Sequence, residues 1–316
     1  MPVKIGILHE KIKLDAKRSN SKRLEEALMK LMEGYSGVKV VVLPPYPFTG
    51  PLSVYEESKA RRVIWSNAER VPTGLVKVKQ SSVIATLTKW SYKYGVYIIG
   101  GPIIERAGPR VYLSLLAVSP KGLVFDKYRK VGLSRLEERL GISYGKKPGI
   151  LNIEELKLTV GVFVDEDLAY PEFFRAIQAG NSNIIIGFYM PHESHYLGRV
   201  KNKNAAILTA DLTLINSFLI TRSKETGLPI ILVGGAVEVS ENGERLIAMP
   251  TIPVEPDAGI IDDEIRDVDD LGSHLIVEVD TNTSKPRQLR YPDLVTSKLS
   301  CKAIEEKAWR ANMEPG

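Results

Sequence analysis

The sequence predicts an α/β fold built in layers, sheet inside and helices outside. Three observations carry this: short β-branched apolar runs recur along the chain, longer amphipathic stretches separate them, and Pro, Gly and turn residues punctuate the joins. At 316 residues and 44% hydrophobic, the chain has enough apolar side chains to bury a large core and lies near the upper size of a single domain.

Val3 to Leu8 reads as a strand, Ser21 to Glu33 as an amphipathic helix, and Val38 to Leu43 as a strand closing at Pro44-Pro45. Gln80 to Tyr94 has helical spacing. Strands are expected at Val96 to Gly100, ended by Gly100-Gly101-Pro102, at Val111 to Val118 and at Leu123 to Lys127, the last two joined by Ser119-Pro120-Lys121-Gly122. Lys157 to Val164 reads as a strand, Pro171 to Ala179 as a helix with proline in its first turn, and Asn183 to Gly187 as a strand. A long apolar helix is expected over about Asn204 to Lys224, then strands at Pro229 to Gly235 and Leu275 to Asp280, with Arg245 to Met249 between them. Pro253 to Asp270, rich in Asp, Glu and Pro, reads as a surface loop. One domain over residues 1–295 and a C-terminal arm over 296–316 are expected. There is no repeat of the roughly 20–50-residue kind that marks solenoids.

Composition narrows the function classes. No stretch reaches the roughly 18 apolar residues of a membrane span, and Met1 to Lys4 runs into a strand pattern rather than a signal-peptide core. A soluble, cytoplasmic protein is expected. The single cysteine, Cys301, excludes an intrachain disulfide and a cysteine metal cluster. The net charge of +5 is a small excess of 43 basic over 38 acidic side chains and selects no partner. Abundant Lys, Glu and Ile beside one Cys is a thermophile-like composition.

Several junctions resemble, in chain order, those of the nitrilase superfamily, the carbon-nitrogen hydrolases. Val40 to Gly50 is similar to the family's apolar strand followed by Leu-Pro-Glu and a loop ending in Thr-Gly, with Pro45 at the glutamate position. Asp126-Lys127-Tyr128-Arg129-Lys130-Val131-Gly132-Leu133 resembles the run ending in Tyr-Arg-Lys-x-His-Leu, with Lys130 on the catalytic lysine and Gly132 on the histidine. After Lys147-Pro148-Gly149, Gly161 to Glu172 resembles the segment that carries the nucleophilic cysteine, whose position holds Asp165. Arg222 to Glu225 and His274 to Asp280 are similar to a later helix end and the last core strand. The resemblance covers about residues 3–295 and implies a four-layer αββα sandwich that pairs through helices into a homodimer or larger assembly.

The resemblance also implies a mechanism: glutamate as general base, cysteine as nucleophile, lysine as stabiliser of the tetrahedral oxyanion. Pro45 has no titratable group, so general-base help worth roughly 100- to 10,000-fold is missing. Asp165 is a weak nucleophile toward amides and nitriles and would give an awkward anhydride. The family triad positions Pro45, Lys130 and Asp165 are therefore not an intact catalytic set. Lys130 and Asp165 either form a buried ion pair filling the old pocket, or bind a polar ligand, or serve a new chemistry in which Asp165 and Glu166 act as paired carboxylates or metal ligands.

Other residues have plainer readings. His192 and His195 have metal-ligand spacing, and the resemblance places them on a loop rimming the family pocket, but no third ligand is evident and no metal is expected. His9 ends the first strand as a structural residue, with Glu10 beside it. The basic stretch Lys11 to Arg23 and the tail residues Lys298, Lys302, Lys307 and Arg310 read as solvated faces before RNA contacts, since no RNA-binding signature accompanies them. Ala205 to Ile220 is apolar around much of its circumference, which favours a subunit interface.

The expected protein is a nitrilase-fold pseudoenzyme: a homo-oligomer without a cofactor that binds a small molecule or scaffolds a partner protein, with Lys130, Asp165, Glu166 and His192 lining its pocket. Two alternatives stay open, a C-N hydrolase using altered carboxylate chemistry and an RNA- or ribosome-associated protein.

Overall fold

A computed structural model of the protein describes residues 2–72, 82–191, 207–209, 212–239 and 245–281. Its first half contains β1 Val3–His9, β2 Lys11–Lys13, α1 Lys17–Gly34, β3 Val38–Pro45, α2 Glu57–Asn67, α3 Val83–Tyr94, β4 Tyr97–Ala107, β5 Arg110–Ser119, β6 Leu123–Arg129 and α4 Arg135–Arg139. The second half contains β7 Ile150–Ile153, β8 Leu158–Val164, α5 Pro171–Ala179, β9 Ile184–Phe188, β10 Ile207–Thr209, α6 Leu212–Thr226, β11 Ile230–Val233, β12 Gly235–Glu238, β13 Leu246–Met249, β14 Ile252–Glu255, β15 Gly259–Ile260 and β16 Ser273–Val279.

Two six-stranded sheets, ordered β16-β1-β3-β4-β5-β6 and β15-β14-β11-β9-β8-β7, form the interior, and a four-stranded sheet, β10-β13-β12-β2, lies beside them. The centre of each large sheet is parallel: β1, β3 and β4 in the first, β8, β9 and β11 in the second. Such strands are covered on both faces, which explains why β9 is buried along its whole length and why β3 exposes only Lys39.

The period of two in β3 shows the layers. Val40 and Val42 face a core that also holds Ile5, Ile7, Leu115, Val160, Val162 and Ile186 from both sheets. Val41 and Leu43 face the opposite way, into a second core with Leu24, Leu28 and Leu31 of α1 and Leu87 and Trp90 of α3. On the far side of the second sheet, Phe174 of α5 tilts against Phe163 of β8 at 5.2 Å, and α5 lies on α6. Helix, sheet, sheet, helix is the four-layer αββα sandwich.

Local chemistry sets the element ends. Ser82 accepts a hydrogen bond from Ala85 N at 2.9 Å to open α3, and Gly95, in the left-handed region, closes it. Pro171 begins α5.

Some expectations are corrected. β4 does not stop at Gly100-Gly101-Pro102 but runs on to Ala107 after a register shift between Gly100 and Ile103. Gly101, at φ 140°, is what allows the passage, since a Cβ there would lie 2.7 Å from the Ser114 carbonyl oxygen. Pro253 to Asp270 is not wholly a loop: Ile252 and Val254 are buried in β14, which pairs with β11 and β15. The apolar helix begins at Leu212, because Ile207–Thr209 pairs with β13 as a strand. α2 and α4 were not expected. The region 296–316, His192, His195 and Cys301 lie outside the described residues.

Candidate functional site

The first residues past several strands converge on one buried cluster. Lys130 follows β6 and is tied at both backbone ends, its N–H to the Leu113 carbonyl at 2.9 Å and its own carbonyl to Gly145 N at 2.8 Å. Asp165 follows β8, Met190 lies just beyond β9, and Tyr46 follows β3. Crevices at the carboxyl ends of parallel strands are where α/β sheets gather functional groups.

The Lys130 side chain is 0% exposed, and three carboxylates surround its ammonium. Glu166 lies at 2.6 Å, Glu137 at 2.8 and 2.9 Å, and Asp165 at 3.3 Å. Asp165 Oδ1 accepts from Met190 N at 2.9 Å, and Oδ2 accepts from the Tyr46 hydroxyl. Burial alone would lower the Lys130 pKa, but Glu137, Tyr46, Asp165 and Glu166 together hold it well above the ordinary lysine range. The three carboxylates offer oxygens within 4.8 Å of one another, a spacing that can hold a cation. The ammonium is already within 2.6 to 3.3 Å of all three, so the protein's own cation takes that role.

Two residues of the cluster have left-handed backbones, Asp165 at φ 45° and Tyr46 at φ 51°. Aspartate tolerates this region, whereas for tyrosine it costs on the order of 1–3 kcal/mol. The turn at Tyr46 is fixed by its N–H on the Gly101 carbonyl at 3.2 Å and by Gly50 N on its carbonyl at 3.0 Å. Its reward is a phenol directed at Asp165. Glu137 does double duty in α4: Ser134 N donates to its Oε2 at 2.8 Å and Glu137 N donates to Ser134 Oγ at 3.2 Å, a capping box, while the same carboxylate receives Lys130.

A second buried carboxylate supports the floor. Asp167 accepts from Tyr128 Oη at 2.6 Å, Gly132 N at 2.6 Å and Val164 N at 2.9 Å. Burial pushes its pKa up to about 6 against the opposing pull of those bonds. Gly132 makes the approach possible, because a Cβ there would sit 2.9 Å from Tyr170 Cε2 and 3.1 Å from Asp167 Oδ1.

The carbon-nitrogen hydrolase family model matches residues 8–210, well over half the chain. The chain belongs to the carbon-nitrogen hydrolase family. No curated protein sequence matches it significantly. Among solved structures this carbon-nitrogen hydrolase family member is similar to Saccharomyces cerevisiae Nit3, a member of branch 10 of the nitrilase superfamily, at 17% identity and TM-score 0.70, covering 92% of this chain and 94% of that one. A carbon-nitrogen hydrolase from Helicobacter pylori G27 is similar at 15% identity and TM-score 0.70, with 93% and 94% covered. A double mutant of the amidase from Nesterenkonia sp. AN1 in complex with acrylamide is similar at 16% identity and TM-score 0.66, with 94% and 97% covered. At these identities the likeness is one of fold.

Within the carbon-nitrogen hydrolase fold the residues expected from the sequence fall as follows. Lys130, Asp165 and Glu166 meet: the buried Lys130–Asp165 ion pair is present at 3.3 Å, and Glu166 and Glu137 join it closer to the ammonium. Pro45 is buried at the end of β3 opposite Gly101, and the neighbouring Tyr46, not Pro45, reaches the cluster. Glu10 does not converge; burial raises its pKa, and the charges that act on it are those of Arg23, Lys30 and Glu26. His9 is structural: its Nε2 donates to the Asp267 carbonyl and its Nδ1 accepts from Thr251 Oγ1, both at 2.9 Å, and burial lowers its pKa. His192 lies outside the described residues. Glu137, Tyr46 and Asp167 were missed. Ser134-x-x-Glu137 is a readable capping-box pattern; Tyr46 carries no such signal.

Proposed function

We propose that this family member does not hydrolyse C–N bonds and serves as a ligand-binding or scaffold protein. What supports this reading is the enclosure of Lys130. An oxyanion-stabilising ammonium must face the reacting carbonyl, and here three carboxylates and the Tyr46 phenol beyond them occupy its surroundings. The residue at the nucleophile position, Asp165, is itself bound by Met190 N and Tyr46 and can neither attack nor be activated without breaking those bonds. The test is a panel of amides, nitriles and N-carbamoyl compounds assayed for ammonia and acid. No turnover is expected, and turnover that disappears in Lys130→Ala overturns the reading.

The acidic cluster favours one second reading, a hydrolase with carboxylate chemistry using Glu137, Asp165 and Glu166. The same panel decides between them. In the first reading, two copies are proposed to pair over α6, whose Leu214 is 47% exposed.

A further inference from the structure

The cluster holds more than an ion pair requires: an amine, a carboxyl group beside it, a proton carrier on the amine, and separate donors on each carboxyl oxygen. From this geometry we propose that Lys130 and Asp165 condense to an intramolecular amide, a covalent cross-link between the ends of β6 and β8. The inference goes beyond the absence of turnover and does not depend on any ligand.

The groups occupy the positions such a step needs. Lys130 Nζ stands 3.3 Å from Asp165 Oδ2, with both side chains at 0% exposure. Met190 N holds Oδ1 at 2.9 Å, the oxygen that remains as the amide carbonyl, and there stabilises the charge of the tetrahedral intermediate. The Tyr46 hydroxyl donates to Oδ2, the oxygen that leaves. Glu137, at 2.8 and 2.9 Å from Nζ, takes a proton from the ammonium, and Glu166 stands on the same nitrogen at 2.6 Å.

The step balances without a co-reactant. Glu137 first accepts one proton from the ammonium, which frees the nitrogen lone pair to form the N–C bond at Asp165 Cγ. The Cγ–Oδ2 bond then breaks, and Oδ2 departs as water carrying two protons that originated on Nζ, relayed through Glu137. The ammonium and carboxylate become an amide and one water, with no change in net charge and no redox. Charge pairing opposes the first proton transfer, so the reaction is slow. It needs to happen once per molecule, though, and fixed neighbours gain effective molarities of about 10⁵–10⁸ M. Burial keeps water from reversing it.

The product joins the two large sheets at residues 35 apart in sequence. Like a disulfide, it restricts the unfolded chain, but it requires no oxidant and no cysteine. A chain whose one cysteine is Cys301 has no disulfide route to such a staple.

The experiment is intact-mass measurement of the denatured full-length protein, before and after prolonged warming, followed by peptide mapping. The expected result is loss of one water and a branched peptide joining the Lys130 and Asp165 segments. That product should be absent in Lys130→Arg and in Asp165→Ala. In Glu137→Gln it should form slower by on the order of 100-fold. A wild-type mass equal to the linear chain after warming overturns the proposal, as does a water loss that maps to other residues. Wild-type protein alone decides it, so a variant that fails to fold does not block the test. A linear mass leaves the absence of hydrolysis untouched, and turnover of the substrate panel is read by a separate assay.

Discussion

Lys130 shows how a single buried charge organises its surroundings. In the ion-paired state its ammonium offsets part of the negative charge of the three carboxylates around it. Replacing it by methionine keeps the volume and removes the charge, so Lys130→Met is expected to lose about 3–5 kcal/mol at neutral pH. Urea unfolding at neutral pH measures the loss. Asp167 has the opposite pH signature to an ordinary paired carboxylate. Its pKa rises from 3.8 to about 6 on folding, so between those values the folded protein holds a proton that the unfolded chain has released. Its contribution is therefore full below pH 4 and is lost as pH rises through 6, on the order of 3 kcal/mol in all. In Asp167→Asn that slope should vanish from a plot of stability against pH, although the variant is less stable throughout because an amide cannot accept all three of the bonds made to Asp167.

At the scale of elements, charged residues placed on strands act as fasteners. Glu105 of β4 is 1% exposed and receives Lys127 at 2.6 Å and Arg129 at 2.7 and 2.8 Å from β6, with Ser114 of β5 donating at 2.7 Å. Burial pushes its pKa up, but those partners outweigh it and bring it from 4.5 to about 2. This stabilisation is present above pH 4.5 and lost as pH falls towards 2. Glu105→Gln should thus cost about 2–3 kcal/mol at pH 7 and almost nothing near pH 2, with the difference in urea midpoints as the readout. The same β4–β5–β6 segment carries Lys130 at its end, so the fastener also fixes the base of the site. Proline and glycine have two meanings at this scale. Gly100-Gly101-Pro102 has the composition of a strand end, yet pairing with β5 resumes at Ile103. Local composition signals a bend, and only the neighbouring strand decides whether pairing continues beyond it.

For the whole molecule, no helix among the described residues is long and apolar enough to cross a membrane. The proposed pairing over α6 predicts that sedimentation velocity finds a dimer and that Leu214→Glu shifts it to monomer without a change in secondary structure; a wild-type monomer would remove the pairing from the proposal. The sequence by itself determined an α/β layering, because β-branched apolar runs separated by amphipathic stretches are a local property, whereas the structure decided which core each of Val40 to Leu43 faces. By resemblance to the family's motifs the sequence also puts Pro45 at the glutamate position and Asp165 at the cysteine position, which is the ground for the proposed absence of hydrolysis. The tertiary structure decided which groups surround Lys130. Glu137 and Tyr46 lie 7 and 84 residues from Lys130 in the chain, and the one binds its ammonium and the other its partner Asp165 because strand ends from two sheets and a capped helical turn converge. An ion pair depends on distances of a few ångströms, and no spacing along a chain encodes those before the layers are stacked.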